Sequence, residues 1–134
     1  LLEADIITLI EMCELRTKTN TKLDLVIALS YGGRQEIVTA VRRLVTDIVA
    51  GEADVDSIDE HAVEARLYTS DIPDPDLIVR TSGEHRISNF LLWQSAYAEF
   101  VFTDVMWPDF SRDKLEDSIE EYNRRERRYG ATNA

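Results

Sequence analysis

The sequence predicts an α/β fold in which a mostly parallel sheet is flanked by helices, and three observations favour it. Helical and strand-like patterns alternate along the 134 residues, as they do when helices connect parallel strands. Residues Leu23–Leu29 are nearly all apolar, which is typical of a strand buried on both faces. Polar loops follow Leu29 and Val79, and open α/β sheets bind their ligands at such strand ends.

The first half of the chain predicts a helix, a strand and a second helix. Apolar residues recur at helical spacing over Ile6–Cys13, so an amphipathic helix is expected over about Ala4–Lys18. The strand Leu23–Leu29 follows. Apolar positions within Ile37–Ile48 mark the next helix, and Gly51 is placed to end it.

The second half predicts two helices, two strands and one further short helix. Ser57 and Glu60 form a capping-box pattern that opens a short helix to about Leu67. The prolines at 73 and 75 exclude a helix there. The remaining predicted elements are the strand Asp76–Arg80, a helix over about Asn89–Ser95, the strand Glu99–Phe102 and a last helix from Ser111 to about Gly130. Three strands make a thin sheet for this fold, which suggests further strands in an N-terminal part.

The charge distribution favours a small anionic ligand. The net charge of −11 argues against nucleic acid or an anionic membrane surface as the main partner. Arginines concentrate at Arg80, at Arg86 and within 124–128, which makes a locally basic site in an acidic protein. Glu120 and Glu121 precede two of these arginines by four residues, a favourable spacing for helix ion pairs.

Cysteine content and hydropathy predict a cytoplasmic protein. Cys13 is the only cysteine, so an internal disulfide and a cysteine-based metal site are excluded. We expect Cys13 to be a buried, small apolar residue. No apolar run approaches the ~18 residues of a membrane span, and no signal peptide is visible.

The most informative stretch is the one from Arg80 to Trp93, where polar groups are dense between a predicted strand and a predicted helix. Buried polar groups cost free energy unless they are bound, and two guanidiniums suit a phosphate. The Ser88 hydroxyl can donate to the same anion. If Ser88 or Asn89 opens the next helix, the free N–H groups there add another anion site.

Other interpretations of these residues stay open on the pattern alone. The two arginines can instead pair with nearby acids, for which the sequence offers Asp76, Glu84 and Glu99. Glu99 is a sensible Mg²⁺ ligand, because Mg²⁺ takes only one or two protein carboxylates, but it can equally be a solvated acid. His85 is either a general base or a structural residue. Arginines near the end of a helix need no ligand at all.

The residues that carry a family resemblance run through most of the chain. They are Tyr31-Gly32-Gly33-Arg34, the continuous stretch Asp76–Gln94, Ala96–Glu99, Phe102–Val105, Trp107–Phe110 and Arg127–Gly130. On these residues the sequence resembles the cis-prenyltransferases, in particular the bacterial undecaprenyl diphosphate synthases, also called isoprenyl transferases.

The resemblance implies an enzymatic activity. The family adds isopentenyl diphosphate units in cis to an allylic diphosphate such as farnesyl diphosphate, with Mg²⁺, to make long polyprenyl (undecaprenyl) diphosphates that serve as lipid carriers for cell-wall sugars. It implies a homodimer with a central parallel sheet and a hydrophobic tunnel. A lipid product also implies transient proximity to the membrane.

Site residues are carried over by position. The head of isopentenyl diphosphate would be held by Arg80, Arg86 and Ser88. Arg128 and Gly130 match the family's C-terminal Arg-x-Gly element, which contacts the diphosphate across the dimer. Glu99 would help to bind Mg²⁺.

Two departures from the family pattern matter. Ser30 stands where many members have Asn before the Tyr-Gly-Gly-Arg motif. The Asp-Gly-Asn-Gly-Arg loop, with the catalytic and Mg²⁺-binding aspartate and the allylic diphosphate site, is not among these residues. We therefore expect residues 1–134 to be the C-terminal portion of a single domain, to carry the isopentenyl diphosphate half-site without a catalytic residue, and to be inactive alone. The alternative is a non-catalytic partner subunit of a cis-prenyltransferase.

Overall fold

A computed structural model describes residues 2–126 of the chain. Its helices and strands, in chain order, are α1 (Ala4–Thr17), α2 (Gly33–Ala50), α3 (Glu60–Glu64), β1 (Leu77–Arg80), β2 (Glu99–Phe102) and α4 (Arg112–Arg124), with short 3₁₀ turns at Val55–Ser57 and Trp107–Asp109. None of the helices within residues 2–126 is long and apolar enough to cross a membrane.

The two strands pair in parallel and confirm the predicted α/β class. Leu77 lies opposite Glu99, and Arg80 lies opposite Phe102. The pairing continues past the strand ends, because the Ser82 N–H donates to the Val105 carbonyl at 2.8 Å. Since the strands are parallel, their carboxyl ends meet at one edge of the sheet, which brings the loop after Arg80 beside the loop after Phe102.

Helix α2 supplies much of the small core. Ala40 and Leu44 are buried on one of its faces, and Leu67, in the turn after α3, and Val101, on β2, are also buried. The helix ends as predicted at Gly51, whose φ of 75° allows its N–H to close the last turn.

The short helix α3 begins later than the capping-box pattern predicts. Its cap is Asp59, whose carboxylate accepts a hydrogen bond from the Ala62 N–H at 2.7 Å. Ser57 belongs instead to the preceding 3₁₀ turn, where its hydroxyl donates to the Asp54 carbonyl at 2.6 Å. The predicted span from Ser57 to Leu67 is therefore too long, because an aspartate two residues further on is the cap that is used.

The prediction of a strand over Leu23–Leu29 is wrong. The segment forms no regular structure, and its large apolar side chains are 52–78% exposed. A strand requires a neighbouring backbone to pair with, and no part of the described chain pairs with this segment. Although it is apolar, the segment therefore does not form a strand within residues 2–126.

Helix α1 forms as predicted, but its apolar face is not covered within the described residues. It contains no buried residue, so the expectation that Cys13 is buried is wrong: the thiol is exposed. The amphipathic spacing correctly indicates the helix. It does not indicate which surface of the protein covers that face.

The helix predicted over Asn89–Ser95 is also absent. The chain instead makes a series of turns, in which Ser88, Asn89 and Leu91 have φ values of 47°, 64° and 46°. A right-handed helix cannot contain residues in that conformation. The condition for an additional anion site at the start of this helix is therefore not met.

Candidate anion-binding site

A pocket of about 120 Å³ lies at the carboxyl end of β1. Arg80 and Arg86 both line it, so the structure brings together the two arginines that the sequence singles out. The rest of the lining is apolar, formed by Ile78, Val79, Ile87, Phe90, Phe100 and Phe102. Ser88 does not line the pocket and is exposed.

Arg80 is fixed at the end of β1 and forms no ion pair among the described residues. Its carbonyl accepts a hydrogen bond from the Thr103 N–H at 2.9 Å, which holds the backbone against the chain that follows β2. Within residues 2–126, no ion pair joins the Arg80 guanidinium to a carboxylate. For this arginine, the alternative of pairing with Asp76, Glu84 or Glu99 is not realised in the described structure.

Arg86 does form an ion pair. Its guanidinium contacts the Glu84 carboxylate, and the Arg86 side chain is 67% exposed. An ion pair this exposed contributes at most about 1 kcal/mol. Glu84 therefore neutralises Arg86 only in part, through a weak ion pair. A phosphate with two negative charges can compete with Glu84 for this guanidinium.

The loop between the two arginines is shaped by left-handed backbone at Ser82 and Gly83, whose φ values are 68° and 67°. A Cβ at Gly83 would lie 3.2 Å from the Asp104 carboxylate, so glycine suits this position. His85 packs against Phe102 with ring centroids 5.0 Å apart. That contact favours the structural role for the histidine over the general-base role.

Asn89 contributes to the site in a way that the sequence did not predict. Asn89 reaches the first turn of α2, where its carbonyl accepts a hydrogen bond from the Gly33 N–H at 2.7 Å and its Oδ1 accepts one from the Arg34 N–H at 2.9 Å. Thus the loop that carries Arg86 is attached to the Tyr-Gly-Gly-Arg motif. The pattern around Asn89 gave no signal of this contact.

A buried carboxylate lies beneath this junction. Glu36 is only 1% exposed, and its oxygens accept hydrogen bonds from the Tyr31 hydroxyl, from the Tyr68 N–H at 2.7 Å and from the Gln94 side-chain amide at 3.1 Å. Burial, followed by the hydrogen bond to Glu36, raises the pKa of Tyr31. Glu36 was not among the predicted site residues, although it shares a helical face with Ala40 and Leu44 at intervals of four residues.

Glu99, the predicted metal ligand, is engaged by an arginine. Its Oε2 lies 2.9 Å from Arg125 Nη1, and the same guanidinium also contacts Glu121 at 3.2 Å and the Phe100 carbonyl at 2.9 Å. The hydrogen bond to Glu99 raises the pKa of Arg125. The predicted pairs of Glu121 with Arg125 and of Glu120 with Arg124 both form.

The described residues do not complete a Mg²⁺ site. Across residues 2–126, no group of three or more histidine, cysteine or acidic side chains is placed to hold a metal ion. Mg²⁺ prefers six oxygen ligands, whereas Glu99 offers one carboxylate that already faces a guanidinium. Arg128 and Gly130, which are predicted to contact the diphosphate, lie outside the described residues.

The fold and the site together define an α/β protein with a basic, otherwise apolar pocket at the carboxyl end of a parallel strand. Residues 1–130 match the family model Prenyltransf, "Putative undecaprenyl diphosphate synthase". The chain therefore belongs to the undecaprenyl diphosphate synthase family of prenyltransferases, as the sequence motifs indicate.

Individual relatives agree with this membership. The chain is 51% identical over 130 residues to the isoprenyl transferase of Agrobacterium fabrum, covering 97% of this chain and 53% of the relative. It is 50% identical over 121 residues to the tritrans,polycis-undecaprenyl-diphosphate synthase (geranylgeranyl-diphosphate specific) of Thermoplasma volcanium, covering 90% of this chain and 47% of the relative. The chain thus spans about half the length of the curated relatives it matches.

A solved structure is similar to the whole described fold. Lavandulyl diphosphate synthase from Lavandula x intermedia, in complex with dimethylallyl diphosphate, superposes with a TM-score of 0.92 at 36% identity. The match covers 97% of this chain and 56% of that chain. The likeness supports the α/β arrangement, including the parallel pairing of β1 with β2.

Proposed function

We propose that this chain carries the isopentenyl diphosphate half-site of a cis-prenyltransferase. The complete enzyme would condense isopentenyl diphosphate with an allylic diphosphate, farnesyl diphosphate, to make a long-chain polyprenyl (undecaprenyl) diphosphate. One observation carries the proposal: Arg80, with no acidic partner among the described residues, and Arg86 line a pocket that is otherwise apolar.

The pocket suits both ends of this substrate. Guanidiniums bind a diphosphate by paired, charge-assisted hydrogen bonds. The apolar lining, which includes Phe100 and Phe102, suits a short branched hydrocarbon tail. The volume of about 120 Å³ is well below the roughly 300–1,000 Å³ of a complete small-molecule site, so the diphosphate would project out of it towards the exposed Arg86.

The remaining members of the half-site belong to the same proposal. Ser88 would donate its hydroxyl to the diphosphate, and Arg128 and Gly130 would contact it across a homodimer. The allylic diphosphate and the catalytic aspartate would belong to a part of the domain that these residues do not include. We infer from this that the chain alone is inactive. We also propose that the complete enzyme works in the cytoplasm, with transient proximity to the membrane.

Mg²⁺ dependence is part of the proposal, with Glu99 as one ligand. When bound, the metal would neutralise the departing diphosphate. Its other ligands would have to come from substrate oxygens, water and residues beyond 2–126. Because Arg125 contacts the same carboxylate, the guanidinium would share Glu99 with the ion or withdraw from it.

Calorimetric titration of the chain with isopentenyl diphosphate tests the half-site. A hydrogen bond to a charged group contributes about 1.5–3 kcal/mol. Loss of the guanidinium in Arg80→Ala should therefore weaken binding by roughly ten- to hundredfold. The control is Arg112→Ala, which removes the same charge from an exposed position that pairs with Glu116 on α4. Equal affinities for Arg80→Ala and the unmodified chain would contradict the proposal.

A further inference from the structure

We infer that Asn89 is a positioning residue for the isopentenyl diphosphate half-site, and that it acts by capping helix α2 from the loop that carries Arg86. The inference rests on the proposed function. On this inference, the Tyr-Gly-Gly-Arg motif holds one wall of the pocket and does not itself contact the ligand.

Three hydrogen bonds join Asn89 to three consecutive residues of α2. Its carbonyl accepts from the Gly33 N–H at 2.7 Å, its Oδ1 accepts from the Arg34 N–H at 2.9 Å, and its Nδ2 donates to Gln35 Oε1 at 3.1 Å. The N–H groups of a first helical turn have no partner within the helix. The residue at the cap position, Gly32, has no side chain to satisfy them, so Asn89 performs this role from 55 residues away.

The two glycines are required for this contact. A Cβ on Gly32 would lie 2.7 Å from Asn89 Nδ2, and a Cβ on Gly33 would lie 2.9 Å from Leu92 Cγ and 3.0 Å from the Leu92 backbone nitrogen. These separations are shorter than van der Waals contact. The Gly-Gly pair therefore lets the helix approach the turn that contains Asn89.

The backbone on either side of Asn89 forms the pocket wall. Ile87 lies two residues before it and Phe90 directly after it, and both line the pocket with Arg86. Ser88 and Asn89 both have positive φ, a conformation that asparagine tolerates better than serine. Such residues persist only when their surroundings hold them, and the bonds to α2 supply that constraint.

The test follows the full 134-residue chain by NMR and by titration with isopentenyl diphosphate. In Asn89→Ala, amide exchange of Arg34 should accelerate at least tenfold, the Arg86 Nε–H resonance should shift, and the affinity for isopentenyl diphosphate should fall by about tenfold. Asn89→Asp keeps the oxygen that accepts from Arg34 and should retain slow exchange and the Arg86 resonance. Asn89→Gly keeps the left-handed backbone without the side chain, and should resemble Asn89→Ala.

Thermal unfolding of each variant establishes that it is folded at the temperature of measurement. The matched control is Asn123→Ala, which removes an exposed asparagine side chain from α4. Faster Arg34 exchange with an unmoved Arg86 resonance in Asn89→Ala would overturn the inference, because Asn89 would then be only a helix cap. If the unmodified chain does not bind isopentenyl diphosphate, the proposed function fails. The Arg86 resonance still decides the positioning role in that case.

Discussion

At the scale of single residues, Glu36 shows how a buried carboxyl group is satisfied by hydrogen bonds from several segments of the chain. Its carboxylate receives hydrogen bonds from Tyr31, from the Tyr68 backbone and from Gln94. These donors come from three different segments of the chain, so removing the carboxylate would leave part-buried donors of Tyr31 and Tyr68 without this acceptor. The network ties the start of α2 to the segment that follows the candidate site.

Tyr31 should make the stability of the protein depend on pH in the alkaline range. The pKa of Tyr31 is raised above its ordinary value near 10, first by burial and then by its bond to Glu36. The native state therefore keeps a proton that the unfolded chain loses. This contribution to stability is complete below about pH 10 and is lost as the pH rises through the native pKa.

We expect the free energy of unfolding to fall more steeply above pH 10 for the unmodified chain than for Tyr31→Phe, by up to about 1.4 kcal/mol per pH unit. Phenylalanine retains the ring that packs edge-on against Phe90, so the comparison isolates the hydroxyl. Urea unfolding at pH 8 and at pH 11 measures the difference. Parallel slopes for the two proteins would show that the Tyr31 hydroxyl does not make this contribution.

Sequence reasoning succeeded for residues whose role depends on their neighbours in the chain. Arg80 and Arg86 were predicted to share a site, and they line one pocket. The roles of Asn89 and Glu36 were not predictable, because partners such as Gln35 of Asn89 and Gln94 of Glu36 lie 54 and 58 residues away along the chain. Local sequence patterns and secondary-structure propensities give no information on contacts between residues so far apart in the chain.

At the scale of elements, the start of α2 is the critical junction, because the helix approaches the 89–92 turn more closely than a Cβ permits. Glycine in a helix normally costs stability relative to alanine, by about 1 kcal/mol. At Gly33 this cost is offset by the close packing against Leu92.

Gly33→Ala should therefore destabilise the chain by about 1–3 kcal/mol, although propensity alone predicts a gain. It should also weaken binding of isopentenyl diphosphate, since it displaces the wall that contains Asn89. Gly51→Ala is the comparison: its Cβ meets no atom within 4 Å, but its φ is 75°, so it should cost about 1–2 kcal/mol and leave the affinity unchanged. A Gly33→Ala chain more stable than the original would contradict the packing argument.

Elements were predictable where local periodicity and end signals agree. Helices α1 and α2 and strands β1 and β2 form within a few residues of their predicted bounds. Helix α4 begins as predicted after Ser111, but it ends at Arg124, six residues before the predicted end at Gly130. The segments Leu23–Leu29 and Asn89–Ser95 were apolar enough to predict a strand and a helix. The first has no pairing partner in the described chain, and in the second the backbone turns left-handed to reach α2.

At the scale of the whole molecule, the chain matches about half of each relative. Two of its apolar segments lie uncovered within the described residues. Helix α1 contains no buried residue, and the large apolar side chains of Leu23–Leu29 are exposed within the described structure. The pocket, in contrast, is formed entirely by residues of β1, β2 and the loop between them. We therefore expect the proposed binding of isopentenyl diphosphate to be separable from the complete reaction.

We expect the 134 residues alone to bind isopentenyl diphosphate without condensing it with farnesyl diphosphate. Adding the part of the Agrobacterium fabrum relative that lies outside the matched region should permit product formation, because the allylic site is expected there. Incorporation of radiolabelled isopentenyl diphosphate into butanol-extractable lipid measures the reaction. Labelled lipid formed by the 134 residues alone would refute the expectation.

The exposed segment Leu23–Leu29 also has a consequence for solubility. Six of its seven residues are apolar and none is proline, the composition from which intermolecular cross-β stacks are built. Its only charged member is Asp24, with Lys22 just before it, and such charges act as gatekeepers against self-assembly. These two side chains therefore do more for the solubility of the isolated chain than their place in an acidic surface suggests, because one flanks and the other interrupts an exposed apolar segment suited to fibril growth.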